Sequence, residues 1–260
     1  MSASTVLVET RGSVAVLTLN RPDAANTLNL RMACDLLAAA LVCERNHEIR
    51  AVVLTGAGRQ FCFGGDLRGM INEGGAIDAY LRELTMHLHS AIALFMRMDA
   101  PVIAAVNGTA AGAGVGLVAM ADLAVAARGA KFSLAYTGVG LSPDAGTSFL
   151  LPRAVGAKRA MELVLTNRTL TADEALDWGL VNRVADDAQL LDEAITLAEQ
   201  LAAGPRRSLG QAKRLVGAAL GALESHMALE SRAIAGLGAG SEGQEGIHAF
   251  LEKRKPRYPC

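Results

Sequence analysis

Over the first two-thirds of the chain, short apolar runs alternate with segments of helical periodicity; the last third is helical almost throughout. Val6–Glu9 and Val14–Leu19 are β-rich runs meeting at Arg11, Gly12 and Ser13, which predicts a hairpin. From Asn29 to Val42, the residues Met32, Leu36, Leu37, Ala40 and Leu41 recur at helical spacing. Ala51–Thr55 and Val102–Val106 are continuous apolar runs, the pattern of strands buried on both faces. Between them, Ile77 to Met98 predicts a long amphipathic helix carrying Leu81, Leu84, Leu88, Ile92 and Phe95, stopped by Pro101. An Ala-rich helix and a strand at Leu123–Ala127 follow. Beyond Pro143, Thr171 and Glu174 predict a capping box, with Gly179 ending that helix. From Asp187 onward the chain reads as helix, with amphipathic stretches at Ser208–Leu220 and Leu223–Leu237. A second capping box is expected at Ser241 and Gln244, and a stop at Pro256.

Strand–glycine loop–helix units followed by pure helix predict an α/β core with a helical C-terminal appendage, divided at 1–195 and 196–260. Of the 260 residues, 51% are hydrophobic but only 4% aromatic, so Ala, Val, Leu and Gly must fill a closely packed core. The formal net charge of -1, without a basic stripe or acidic tail, argues against a nucleic-acid partner. Cys34, Cys43, Cys62 and Cys260 have neither metal-site spacing nor the density of a disulfide framework. His87 and His89 are two apart and do not share a helical face, so no metal is expected. The N-terminus lacks the features of a signal peptide and no apolar run is long enough to span a membrane, which predicts a cytoplasmic protein.

Candidate chemistry lies in two glycine-rich turns, Gly56 to Asp66 after one buried strand and Asn107 to Gly114 after the other. Such turns bring unsatisfied N–H groups to one spot backed by a helix dipole, where they attract a phosphate or a developing oxyanion. Gly108, Gly112 and Gly114 also fit a dinucleotide-binding turn. The motif lies in mid-chain, however, and no acidic residue stands at the ~20-residue offset that a ribose contact requires. Tyr136 is followed four positions later by Gly140, where a short-chain dehydrogenase would have lysine.

The stretches LNRPDAANTLN (19–29), VVLTGAGRQFCFGGDL (52–67), PVIAAVNGTAAGAGVGL (101–117), residues 140–184 and FLEKRKPRY (250–258) resemble the enoyl-CoA hydratase/isomerase, or crotonase, family in order and spacing. The resemblance implies a spiral of ββα units with a C-terminal helical region that assembles a homotrimer or dimer of trimers. The substrate would be an acyl-CoA thioester, with coenzyme A as part of the substrate and no separate cofactor. Two backbone N–H groups would hold the thioester oxygen, those of Gly65 and Ala113. Their alternative is plain tight packing.

Hydratases of the family use two glutamates, whose positions fall here on Gly116 and Tyr136; neither is acidic, and residues 112–120 contain no carboxylate. Asp144, in the segment Ser142 to Gly146, matches the single carboxylate of the branch that isomerises phenylacetyl-CoA epoxides and of Δ3,Δ2-enoyl-CoA isomerases. One acid–base group suffices to move a proton from the α carbon while the enolate is held. The alternative reading of Asp144 is a first-turn helix cap. Tyr136 is either an alternative acid or a core tyrosine. Ala24, Ala25, Phe250 and Lys253 match CoA-contact positions, although Lys253 also fits a solvated basic face. Phe63, Asp66 and Leu67 are expected along the CoA channel, with core packing the alternative for the two apolar residues. An acyl pocket is expected from the 72–88 region. The expected activity is therefore enoyl-CoA isomerisation. A hydratase, or a catalytically weak acyl-CoA-binding homologue, is the competing expectation.

Overall fold

The computed structural model describes residues 4–217 and 220–258, leaving Cys260 and part of the 208–220 stretch outside the described residues. The predicted hairpin forms from β1 (Val6–Arg11) and β2 (Val14–Leu19), antiparallel with Val6 opposite Leu19, and Gly12 turns it in the left-handed region. Asn29 caps α1 (Leu30–Arg45) by accepting the Met32 N–H at 2.9 Å. β3 (Ala51–Gly56) is buried along its length. The first glycine turn leads into a short helix, α2 (Leu67–Asn72), capped by Asp66, and then into α3 (Ile77–Arg97). β4 (Val102–Val106), β5 (Ala110–Ala111), α4 (Ala113–Met120), β6 (Leu123–Ala127) and β7 (Lys131–Ser133) follow.

After these come α5 (Thr147–Val155), α6 (Ala157–Thr166), β8 (Leu170–Thr171), α7 (Ala172–Asp177) and β9 (Arg183–Ala185). Thr171 and Glu174 form the expected reciprocal capping box, and Gly179 follows the helix at φ +82°. The chain ends in α8 (Leu190–Ala202), α9 (Arg206–Val216), α10 (Leu220–Ala239) and α11 (Ser241–Leu251). Ser241 does not cap α11. Gly240, in extended backbone, takes the cap position, and the Gln244 side chain donates instead to the Gly238 carbonyl at 2.7 Å. α11 also ends before Pro256, at a turn in which Lys253 adopts φ +55°.

Six strands form the main sheet in the order β1-β2-β3-β4-β6-β9, parallel from β2 onward. That is why β3 and β4 read as unbroken apolar runs: both faces of a parallel sheet are covered. A second sheet, β5-β7-β8, is extended by a bridge from Cys62 to Ala110. The chain passes from β4 to β5 and from β6 to β7, winding between the two sheets as the spiral implied by the family resemblance would. α8 packs along β3, β4 and β6, so the division drawn at 195/196 falls inside a helix of the core. α10 lies along α3 and touches α5, while α11 rests on α2 and on the turn at residues 137–139. No helix among the described residues is long and apolar enough to cross a membrane.

Candidate active site

Both glycine turns sit at one end of the second sheet, and backbone pairing fixes them against each other. Cys62 N–H donates to the Thr109 carbonyl at 3.2 Å and Ala111 N–H returns a bond to Cys62 at 2.8 Å. Farther along, Leu28 N–H reaches the Gly64 carbonyl at 2.7 Å, and Asp66 N–H reaches the Leu28 carbonyl at 2.9 Å. This parallel bridge turns the intervening Gly65 N–H away from the segment that holds it. The turns touch closely: a Cβ on Gly64 would lie 2.9 Å from the Ala111 carbonyl and 3.4 Å from the Ala113 nitrogen. At Gly64, φ +80° also demands glycine. Ala113 opens α4, so its N–H has no intrahelical acceptor. Among the described residues, neither the Gly65 nor the Ala113 N–H has a hydrogen-bond acceptor.

Gly65 and Ala113 line one cavity of about 650 Å³ together with Asp144 and Tyr136. Two free donors on the wall of an apolar cavity, one at a helix N-terminus, can stabilise a negative oxygen. Ala24, Ala25, Phe63, Asp66, Leu67 and Phe250 line the same cavity, and Phe63 and Phe250 are exposed rather than core residues. Asp66 also has a structural task, accepting the Gly69 N–H at 3.1 Å and pairing with Arg21 at 2.8 Å. Lys253 lies outside the lining on an exposed turn; the cations at the cavity are Arg68 and Lys131. The 72–88 region contributes Leu84 and Leu88, and Val139, Leu141 and Ile234 are among the other apolar residues of the wall.

Asp144 does not cap a helix. α5 begins at Thr147 with Gly146 as its cap, and the Asp144 carboxylate accepts the Tyr136 hydroxyl at 2.6 Å. Only 5% of Asp144 is exposed, and burial pushes its carboxyl up to about 7; the Tyr136 bond opposes this and the nearby Glu230 charge adds to it. Burial and the adjacent Asp144 charge raise Tyr136 well above the ordinary phenol range, so it remains a neutral donor. At the other hydratase position, a Cβ on Gly116 would lie 2.6 Å from the Ala145 carbonyl and 2.7 Å from Thr147 Oγ1. No glutamate fits there with Ala145 and Thr147 as they are placed. Cys62 lies beneath the first turn, and burial raises its thiol to about 12, which leaves it unreactive.

Two residues beside this site carry no motif in the sequence. His89, on the inner face of α3, accepts the Ala145 N–H at 3.1 Å, and burial lowers it to about 4, so it is a neutral imidazole. Glu230, on α10, is buried behind the turn that follows Asp144. Among the described residues, no group of three or more His, Cys, Asp or Glu side chains comes together as a metal site would require.

Residues 9–259 match the family model described as "Enoyl-CoA hydratase/isomerase". The 1,2-epoxyphenylacetyl-CoA isomerase of Escherichia coli K12 is 39% identical over 256 residues, covering 97% of each chain. A protein of Rhodobacter capsulatus described as a probable enoyl-CoA hydratase is 40% identical over 259 residues, covering 99% of each. The crystal structure of an enoyl-CoA hydratase/isomerase from Pseudoalteromonas atlantica T6c superposes with a TM-score of 0.89 at 36% identity, covering 98% of this chain and all of that one. By sequence and by fold, over nearly its whole length, the chain belongs to the enoyl-CoA hydratase/isomerase family.

Proposed function

We propose that this protein isomerises enoyl-CoA thioesters, with Asp144 as its single acid–base group and the Gly65 and Ala113 N–H groups as the oxyanion hole. The thioester oxygen sits between the two N–H donors, which lowers the energy of the enolate formed when a proton leaves the α carbon. Asp144 takes that proton, the Tyr136 hydroxyl steadying the carboxylate, and returns it to the γ carbon, which moves the double bond. A carboxyl raised to about 7 is matched to this work, since it holds and releases a proton near neutral pH. The observation that carries the proposal is one buried carboxylate beside both turns, combined with the packing of Gly116 that closes the other hydratase position to an acid.

The coenzyme would enter along Ala24, Ala25, Phe63 and Leu67, with Arg68 and Lys131 as the cations available to its phosphates. Exposed Met161 and Leu165 on α6, with Leu215, Val216 and Leu229 near the C-terminal helices, supply apolar surface for a homotrimer or dimer of trimers. Free Cys34, Cys43 and Cys62 are compatible with a cytoplasmic location. The test is to incubate a 3-enoyl-CoA and a 2-enoyl-CoA separately with the enzyme and resolve the products by mass. Conversion of the first to its 2-enoyl isomer without water addition to the second is expected. Rapid hydration of the 2-enoyl thioester would sink the single-acid assignment.

A further inference from the structure

The turn that carries Asp144 is held from behind the cavity by a residue the proton transfer does not use. Ala145 and Gly146 are consecutive left-handed residues, at φ +55° and +70°. An L side chain adopts that conformation only where its surroundings hold it. Of the four N–H groups that follow Asp144, that of Thr147 donates to the Asp144 carbonyl at 2.9 Å, and the other three are taken by side chains from other helices. Ala145 N–H donates to His89 on α3, as described above. Gly146 N–H donates to Glu230 Oε2 at 2.8 Å, and Ser148 N–H donates to Glu230 Oε1 at 3.1 Å. Ser148 Oγ also donates to Glu230 Oε1, at 2.5 Å, and lies 2.7 Å from His226 Nε2.

Glu230 is 4% exposed. A serine or asparagine caps a helix without the cost of burying a charge, so a carboxylate here does more than terminate α5. Among the described residues, the cation-forming group that reaches it from its own helix is half-buried His226, with Nε2 3.8 Å from Glu230 Oε1. From α3 it faces neutral His89, and from the site turn Asp144 with its Tyr136 partner. Arg153 on α5 is engaged with the Phe149 ring and carbonyl. The buried negative charge therefore acts chiefly on the turn and on Asp144. The same helix supplies Ile234 to the cavity wall.

We infer that Glu230 is a positioning residue, one that fixes the Ala145–Gly146 turn so that the Asp144 carboxylate is aimed into the cavity and that sets a second negative charge behind it. This deepens the isomerase function proposed above and rests on it. Glu230→Gln keeps the size but removes the charge and one of the two acceptor oxygens. On a 3-enoyl-CoA its kcat is expected to fall roughly 10- to 100-fold, with KM within about twofold of wild type. The acid limb of its kcat–pH profile is expected to move to lower pH, because a like charge facing Asp144 is gone. Ser148→Ala, a milder change at a partly exposed position, is expected to lower kcat roughly 3- to 10-fold.

Carbon-13 NMR of the aspartate carboxyls, with the Asp144 signal assigned by its absence in Asp144→Asn, supplies a readout that needs no substrate. The Asp144 titration is expected to move down in Glu230→Gln. A folded Glu230→Gln enzyme with wild-type kcat and an unmoved Asp144 titration would overturn the inference. Should that variant not fold, Ser148→Ala decides, and an unchanged kcat overturns the inference there. Failure of the isomerase function looks different: wild type is inert on 3-enoyl-CoA, while the NMR titration still reports what Glu230 does to Asp144.

Discussion

The proposed oxyanion hole consists of backbone, yet one of its donors can be removed by a side-chain substitution. Ala113 is the first residue of α4, where proline is well tolerated because the N–H makes no intrahelical bond. Gly112 before it has φ 52° and ψ -124°, the mirror image of the extended conformation that a residue preceding proline adopts, and glycine occupies it freely. Ala113→Pro is therefore expected to leave the fold intact. It deletes the N–H proposed to hold the substrate oxygen and puts a methylene in its place. Losing one oxyanion donor costs about 3–4 kcal/mol in the transition state, a loss of about 10²–10³-fold in kcat. The methylene crowds the same spot, so KM should rise as well. Ala113→Gly keeps the N–H and is expected to stay within a few-fold of wild type. The assay is the initial rate of 3-enoyl-CoA conversion, run beside a thermal melt for each variant. A folded Ala113→Pro enzyme with kcat/KM within threefold of wild type would refute the placement of the oxyanion at Ala113.

Three further outcomes are expected. Because Asp144 is raised in the folded state, the native protein holds a proton there between about pH 4 and 7 that the unfolded chain has released, so stability from this group is greatest below that window and is lost as pH rises through it. Asp144→Asn removes this dependence, and denaturant titrations at pH 5 and pH 8 should show the variant gaining about 3 kcal/mol on wild type across that interval, while losing isomerase activity; a flat difference would contradict the raised carboxyl. Tyr136→Phe removes the bond that favours the ionised carboxylate, so the acid limb of kcat should move up by about 1–2 pH units, opposite to the shift expected of Glu230→Gln, and an unmoved limb would count against the pair. Gly116→Glu, the change that would restore the first hydratase position, should instead destabilise the protein by about 1–3 kcal/mol or more, measured by denaturant unfolding, and a stable, hydrating variant would show that the turn at Ala145 can yield.

Much of the fold is legible in the sequence because its signals are local. The short, β-branched apolar runs at Ala51–Thr55 and Val102–Val106 have the pattern of strands covered on both faces, and the Asn29 and Thr171 caps mark their helices within a few residues. What escapes prediction depends on contacts remote in sequence. α2 is too short to show a period, and the role of Asp66 as its cap is hidden inside the glycine loop. The Ser241–Gln244 pattern loses to Gly240, whose extended backbone already supplies the cap. Asp144 illustrates the division best: the Pro-Asp dipeptide is equally a helix start, and only the fold brings the Tyr136 hydroxyl to its carboxylate across the cavity wall. His89 and Glu230 carry no motif at all, because each acts on a backbone N–H more than 50 residues away in the chain.

A single left-handed turn links the features that separate this site from a two-glutamate one. By bending at Ala145 and Gly146, the chain brings the Ala145 carbonyl and Cβ against Gly116, which closes the space a glutamate there would fill. The same bend buries Asp144 next to Tyr136, at the position of the other glutamate, where a phenol now stands as a donor. A proton shuttle needs one group that both takes and gives, and so gains from a carboxyl raised toward neutrality. Water addition needs two groups in different protonation states, and the packing at Gly116 leaves room for one. Side chains of α3 and α10 accept the N–H groups of this turn, so the chemistry proposed for Asp144 would depend on helices that were visible in the sequence only as packing.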